Sequence, residues 1–487
     1  MKLPNLLIKY ALIFTFVAGV YALAAPSLSA AENGSSFPVM TGKLVLEQDA
    51  GPVRSEVHFQ ASGLAPGKPV KAVWMDVEGS YKLDGIYTFV QPEYTQKQLI
   101  VVQGTTDANG NWEGTFHVPV DFGGDHTVYI RQNNQFVAQS NFFVETTFSM
   151  SPASGPIGTE ITIEAEGIGW TSMESNWQVS YDNKLTGLIS AVSTNGTAKA
   201  TFRAAGPVGK HSITVWHGYL GIPYLNHQQA PNSYLPVPTY SFEVTNEKPE
   251  LKNVVEQAPA SAANGGVVLP DAKFKKGVTA KLNKESGIVG EDVVLAAAGL
   301  PAGQDISLVW NTMVGSRVSG KGFEEKQVTL GTVTTDSGGK LNYSFKVPDD
   351  LGGIPHRLDL AVGNDVYGQV YLRIDPSIAS MTPVSGPNGT EVTLEVKGVG
   401  WTEFDNAYYV TYDNNYLGYV CGFNSQGTVK FTFNATGGTG YHIIDLYPGI
   451  YRGQKTTPDI YLAPQLTYKQ DHPGSRIPAI HLSFEVK

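Results

Sequence analysis

Hydrophobic and polar residues alternate in short runs along most of this chain. "EITIEAEG" (160–167) and "EVTLEVKG" (391–398) place an apolar side chain at every second position, as do "GKHSITVWHG", "GTVKFTFNATG" and "KLNYSFKVP". A period of two predicts strands with one face in a core. Turn signals such as "DANG", "TNGT", "DSGG" and "SQGT" separate the runs. Beyond the first 31 residues no stretch holds a helical period over three turns. About seven short strands in about 100 residues predict a two-sheet sandwich. Trp74 and Trp310 are expected on a central strand, as the bulky residues of two such cores.

The pattern repeats. "PASGPIGTEITIEAEGIGW" (152–170) returns as "PVSGPNGTEVTLEVKGVGW" (383–401), identical at 12 of 19 positions and 231 residues later. The same offset carries "YDN" at 181–183 onto 412–414, Gly187 onto Gly418 and His211 onto His442. Both copies end in "SFEV", where the offset has grown to 242, so the second copy holds eleven extra residues between His442 and Ser483. The preceding segments match more weakly: "ASGLAPGKPVKAVW" (61–74) parallels "AAGLPAGQDISLVW" (297–310). The order is therefore A1 (32–145), B1 (146–244), a linker (245–278), A2 (279–375) and B2 (376–487). The linker has Pro, Ala and Gly punctuation and no sustained period, and reads as an extended spacer.

Composition agrees with an all-β, turn-rich chain: 53 glycines and 29 prolines stand among 487 residues, well above the usual ~12%. The N-terminus reads as a secretory signal over 1–31. Lys2 and Lys9 bracket the start of an apolar run (10–25), Pro26 breaks it, and Ser29 and Ala31 fit the cleavage site. The run is short for a membrane span of ~20 residues, and no later segment approaches that length. The expectation is an exported protein, extracellular, at the cell surface or periplasmic, with no membrane span after processing. A single cysteine, Cys421, rules out an internal disulfide. The net charge is −10, without a basic block. Nucleic acid, which needs clustered cations against its phosphates, is a poor partner.

Candidate chemistry thins out on inspection. "SGPIGTE" lacks the following helix and lysine of a phosphate cradle, and its Glu160 would repel an anion. It reads as the turn that opens a B module. Cys421 has Ser190 as its counterpart in B1, which argues for packing rather than nucleophilic chemistry. His126, His211, His356 and His442 recur once per module, and one histidine per sandwich is no ligand set. Each is expected to pack or hydrogen-bond at a sheet end. Asp182 and Asp413 are weak Ca²⁺ candidates, as are Asp107 and Asn109. Calcium takes six to eight oxygens and these stretches offer two or three, so a turn is the simpler reading. No catalytic residue and no cofactor is expected.

The least ordinary segments are the long late loops of the B modules, 216–240 and 447–481. Both are rich in Tyr and Pro and poor in charge. Long loops on a rigid sandwich often carry binding, and Tyr supplies rigid contact area with a polar tip. The candidate ligand-binding residues are Trp216, Tyr219, Tyr224 and Tyr234 in B1, with Tyr447, Tyr451, Tyr461 and Tyr468 in B2. The competing reading is that these rings pack between modules and stiffen the chain.

The B-module phrase P-x-S-G-P-x-G-T-E-[IV]-T-[IL]-E-x-x-G-[IV]-G-W resembles the opening strands of IPT/TIG-type immunoglobulin-like domains. The A-module pattern T-T-D-x-x-G, F-x-V-P and G-G followed by His is similar to the later strands of bacterial surface immunoglobulin-like repeats. The resemblance implies four tandem immunoglobulin-like sandwiches in a bacterial exported protein. It leaves several roles open. The first is a non-enzymatic binding or adhesion protein for an extracellular protein or glycan, with two A–B rods each exposing a B loop. The alternatives are a structural spacer or surface-layer component, and an accessory subunit of a polysaccharide-active enzyme.

Overall fold

In the computed structural model, the described residues are 40–86, 88–219, 222–259, 267–316, 322–402, 404–450, 462–473 and 477–487. The expected leader, 1–31, lies outside them.

Each alternating run is a strand, and the strands form four pairs of sheets. In A1 a three-stranded sheet (Lys43–Leu46, Glu56–Ser62, Trp112–His117) accompanies a five-stranded one (Ala50–Pro52, Gln135–Glu145, Gly124–Gln132, Pro69–Asp84, Thr88–Thr105). A2 repeats this order, from Thr279–Leu282 to Gly322–Thr334. B1 pairs a small sheet (Thr147–Ser151, Glu160–Glu166, Ala198–Arg203) with a large one. The large one runs Ser154–Gly155, Thr239–Val244, Gly209–Tyr219, Trp177–Tyr181, Lys184–Ile189. B2 follows the same plan, with Asn415–Cys421 and Val429–Asn434 as its edge strands. The chain is thus four tandem immunoglobulin-like sandwiches in the order A-B-A-B.

The period of two is what builds these layers. In Glu56–Ser62 the side chains of Val57, Phe59 and Ala61 point inward and the others outward. Burying apolar area at about 25 cal/mol per Å² is the main stabilising contribution in a chain without disulfides. Trp74 and Trp310 are both fully buried in their cores.

The four recurrent histidines share one task. Each lies flat against the large aromatic residue of its own core: His126 on Trp74 (ring centroids 4.8 Å), His356 on Trp310 (4.5 Å), His211 on Tyr181 (5.2 Å) and His442 on Tyr412 (5.5 Å). In the A modules the indole N–H donates to a buried carboxylate, Trp74 to Asp121 and Trp310 to Asp350, both at 2.8 Å.

The A–B junction is built alike in both halves. The amide of Gly123 donates to the carbonyl of Ile168, and that of Gly352 to Val399, each at 3.0 Å. A Cβ on Gly123 would lie 1.9 Å from the carbonyl oxygen of Gly167, and one on Gly352 would lie 1.7 Å from that of Gly398. Only glycine fits such a backbone approach.

Two expectations need correction. The linker is not a free spacer in its described parts. Val254–Val255 adds a strand to the large B2 sheet beside Ile480 and His481. Phe274 bridges Gly368 of A2, and the Tyr371 hydroxyl donates to the carbonyl of Pro270 at 3.0 Å. An open sheet edge offers unpaired backbone groups, and two apolar residues suffice to take them. Nor are there two separate rods: residues 40–487 form one compact unit.

Candidate interaction site

The unit holds together because the late loop of B2 leaves its own sandwich and completes that of B1. The B1 sandwich has an open side between two edge strands, Lys184–Ile189 of the large sheet and Ala198–Arg203 of the small one. Residues 464–466 of B2 run along it. Leu188 donates its amide to the Pro464 carbonyl at 2.7 Å and accepts the Leu466 amide at 2.9 Å. Thr201, on the other edge, donates to the Leu466 carbonyl at 3.0 Å. One short segment therefore satisfies backbone groups of both sheets, the mode of β-strand addition. The side chains of Leu466, Tyr468, Tyr447 and Ala479 count among the buried residues of the B1 core. Gly187 leaves the room: a Cβ there would lie 2.5 Å from the Pro464 oxygen and 2.8 Å from Leu466.

Polar groups fix the register. Asp471 accepts the amides of Val192 (3.0 Å) and Ser193 (2.8 Å), the Ser193 hydroxyl (2.7 Å) and the Tyr81 hydroxyl of A1 (3.0 Å). Gln465 donates to the Ser190 hydroxyl at 3.0 Å. Three sandwiches meet at these residues.

An ionic chain lies beside them. Arg203 of B1 pairs with buried Asp445 of B2, and His481 bridges Asp445 (2.6 Å) to Glu256 of the linker (2.9 Å). Tyr468 also donates to Glu256, and Lys469 lies 3.1 Å from it. Burial opposes charge on His481, but the Asp445 and Glu256 carboxylates outweigh it and lift the imidazole to about 9. Burial likewise works against Glu256, yet its bonds from His481 and Tyr468 hold it down at about 2. Strongly shifted groups often mark active sites, but these are consumed by one another across an interface.

This geometry divides the candidate aromatic residues. Tyr447 and Tyr468 are buried between B1 and B2, so a ligand cannot reach their rings; they are corrected to interface residues. Tyr451 and Tyr461 lie outside the described residues. In B1, Trp216 is half-buried on the outer face of the large sheet, and Tyr219 ends the strand Gly209–Tyr219. Tyr234 is 56% exposed, sets its ring edge-on to Phe143 of A1 at 5.6 Å, and donates to Glu174. Tyr224 is 40% exposed. Beside it stand Ile222 at 63% and Leu225 at 72%, which a search for aromatic residues passes over. They could have been found by laying the two loops together from their "SFEV" ends.

The weak calcium candidates are turn residues. Asp182 and Asn183, and likewise Asp413 and Asn414, have positive φ between 46° and 62° in two-residue hairpin turns. Asp182 takes His211 at 2.6 Å and the Ser212 amide at 3.0 Å; Asp413 takes His442 at 2.5 Å and the Ile443 amide at 3.0 Å. Both oxygens of each carboxylate are engaged. Asp107 accepts the amides of Asn109 and Asn111 in the same manner. Among the described residues no helix is long and apolar enough to cross a membrane.

No protein-family model matches the chain, and no curated protein matches it. Among solved structures it is similar to a Salmonella alpha-2-macroglobulin mutant, at 11% identity over 90% of this chain and 30% of that one, with a TM-score of 0.18. The ICAM-5 D1–D4 ectodomain fragment matches at 12% identity over 92% of this chain and 100% of that one, with a TM-score of 0.17. The Escherichia coli adhesin FdeC matches at 10% identity, 93% and 99% coverage, and a TM-score of 0.15. The chain spans about a third of the length of the Salmonella macroglobulins it matches. At such TM-scores these likenesses carry no argument about function.

Proposed function

We propose that this is an exported, non-enzymatic binding protein, with IPT/TIG-type B modules, that docks a protein surface through the B1 late loop. The observation that supports it is the exposed cluster of Ile222, Tyr224 and Leu225. Exposed aliphatic side chains grouped on a loop favour a protein partner over a glycan, because sugar recognition relies on flat rings and polar groups. Of the two expected loop sites the reading takes that of B1, since residues 463–468 of the B2 loop pack against B1. A structural role is the second reading, favoured by the ionic chain and the donated segment that lock the modules together.

The test is binding of the purified protein to a panel of immobilised extracellular proteins, this chain included, with a glycan array in parallel. Ile222→Asp with Leu225→Asp is expected to weaken protein binding by about tenfold or more. Binding unchanged by both substitutions, or binding to glycans alone, overturns the reading.

A further inference from the structure

The two B modules carry the same pair of surfaces, and among the described residues one donor and one acceptor are seen joined. On the donor side, the 242-residue offset of the loop ends places Pro464–Gln465–Leu466 of B2 over Ile222–Pro223–Tyr224 of B1. The correspondence needs no gap: Pro231 meets Pro473, Leu235 meets Ile477 and Pro236 meets Pro478. The B2 segment fills the open side of B1, whereas its B1 counterpart holds the exposed Ile222, Tyr224 and Leu225.

On the acceptor side the 231-residue offset carries Thr186, Leu188, Thr201 and Arg203 onto Leu417, Tyr419, Thr432 and Asn434. The four B1 residues are buried: Leu188 and Thr201 bond the B2 segment, while Thr186 donates to the Asn414 carbonyl and Arg203 pairs with Asp445 in the body of B2. In B2, Leu417 is 51% exposed, and Thr432 and Asn434 are exposed as well. The glycines record the same contrast. A Cβ on Gly187 would strike Pro464 and Leu466, while one on its counterpart Gly418 would meet nothing within 4 Å.

We propose that the open side of B2 receives the B1 loop of a second copy of this chain, so that copies join head to tail. The proposal rests on the reading of the B1 loop as a protein-docking surface and names the protein it docks. The occupant follows from the contact already present in the molecule, in which the open side of one B module meets the outer sheet face and late loop of another. Repeating that relation beyond B2 calls for a B1 module, and the B1 within the same chain already turns its open side to B2. The charges agree. The buried Arg203–Asp445 pair has Asn434 and Thr214 as its counterparts, both neutral and able to hydrogen-bond, so no unpaired charge would be buried. Trp216, half-buried on the outer B1 face, stands where Tyr447 stands in B2. A contact between unlike faces makes rings or open filaments rather than closed pairs.

Sedimentation velocity of the purified protein from about 1 to about 100 µM tests this. The wild type is expected to form growing oligomers. Leu225→Asp, which spoils the donor, and Leu417→Asp, which spoils the acceptor, are each expected to be monomeric. Both positions are exposed, and an unchanged circular dichroism spectrum verifies folding. Mixed, the two variants retain one intact donor and one intact acceptor, and should form dimers and nothing longer. A monomeric wild type, either variant assembling like the wild type, or a mixture that stays monomeric overturns the proposal. If the wild type is monomeric but Leu225→Asp still abolishes binding to another extracellular protein, this inference falls and the loop reading stands. If Leu225→Asp changes neither self-association nor binding, both fall.

Discussion

The guanidinium of Arg203 lies 2.7 Å from the carboxylate of Asp445, which has no exposed surface. Arg203 belongs to the small sheet of B1 and Asp445 to the large sheet of B2, and the same guanidinium donates to the Leu482 carbonyl at 2.8 Å. Burial opposes the charge on Asp445, but Arg203 and His481 together hold its carboxyl below the usual range.

Breaking this pair from one side should be costly. Arg203→Met leaves a buried carboxylate with His481 as its only cationic neighbour in the pair's network. A loss of about 3–5 kcal/mol is expected in denaturant unfolding. Adding Asp445→Asn should recover part of it, because the uncompensated charge then disappears. Equal stabilities of the single variant and the wild type would remove the pair from the account of the B1–B2 contact.

Gly187 offers a purely steric probe. In Gly187→Val the Cβ meets the Pro464 oxygen, and the donated segment must withdraw. Hydrogen exchange at Leu188, Thr201 and Leu466 should accelerate by about tenfold or more, since each amide loses its partner. The A2 sandwich should be unaffected. Unchanged protection at these three amides would show that the segment is not held as described.

The ionic chain gives the contact a pH window. His481 sits at about 9, above its ordinary 6.5, so its contribution is complete below pH 6.5 and is lost as pH rises through 9. Glu256 sits at about 2, below its ordinary 4.5, so its contribution is complete above pH 4.5 and is lost as pH falls through 2. The chain is therefore strongest between pH 4.5 and 6.5. The difference in melting temperature between wild type and His481→Gln should be largest there and shrink as pH passes 9. A difference that does not vary with pH would mean that His481 acts only by its shape.

Much of this architecture is local in origin and was legible in the residues. Alternation in "EITIEAEG" and "EVTLEVKG" places Ile161, Ile163, Val392 and Leu394 inward because strand side chains must alternate. Asp182 and Asp413 read as turn residues, and they take the positive φ that Asp and Asn tolerate. The use of the loops was not legible. Both are rich in Tyr and Pro, and what distinguishes Leu466 from Tyr224 is a contact with Leu188 in another module. No local property of either loop encodes that. The linker misled for a similar reason: Val254 and Val255 carry no periodic signal, and their strand exists only because Ile480–Val486 presents an edge to them. The repeat aligns Leu466 with Tyr224, and only the structure shows that one is buried and the other exposed.

The segment at 464–466 also sets an order of events. The B1 sandwich is written within the first half of the chain, yet the residues that close it come near the end. As the polypeptide emerges from its N-terminal end, A1 can finish from its own strands, but B1 must wait with Leu188 and Thr201 uncovered until Leu466 arrives. A chain stopped short of Pro464 would carry a permanently unfinished B1, so the fourth sandwich is the one that completes the second.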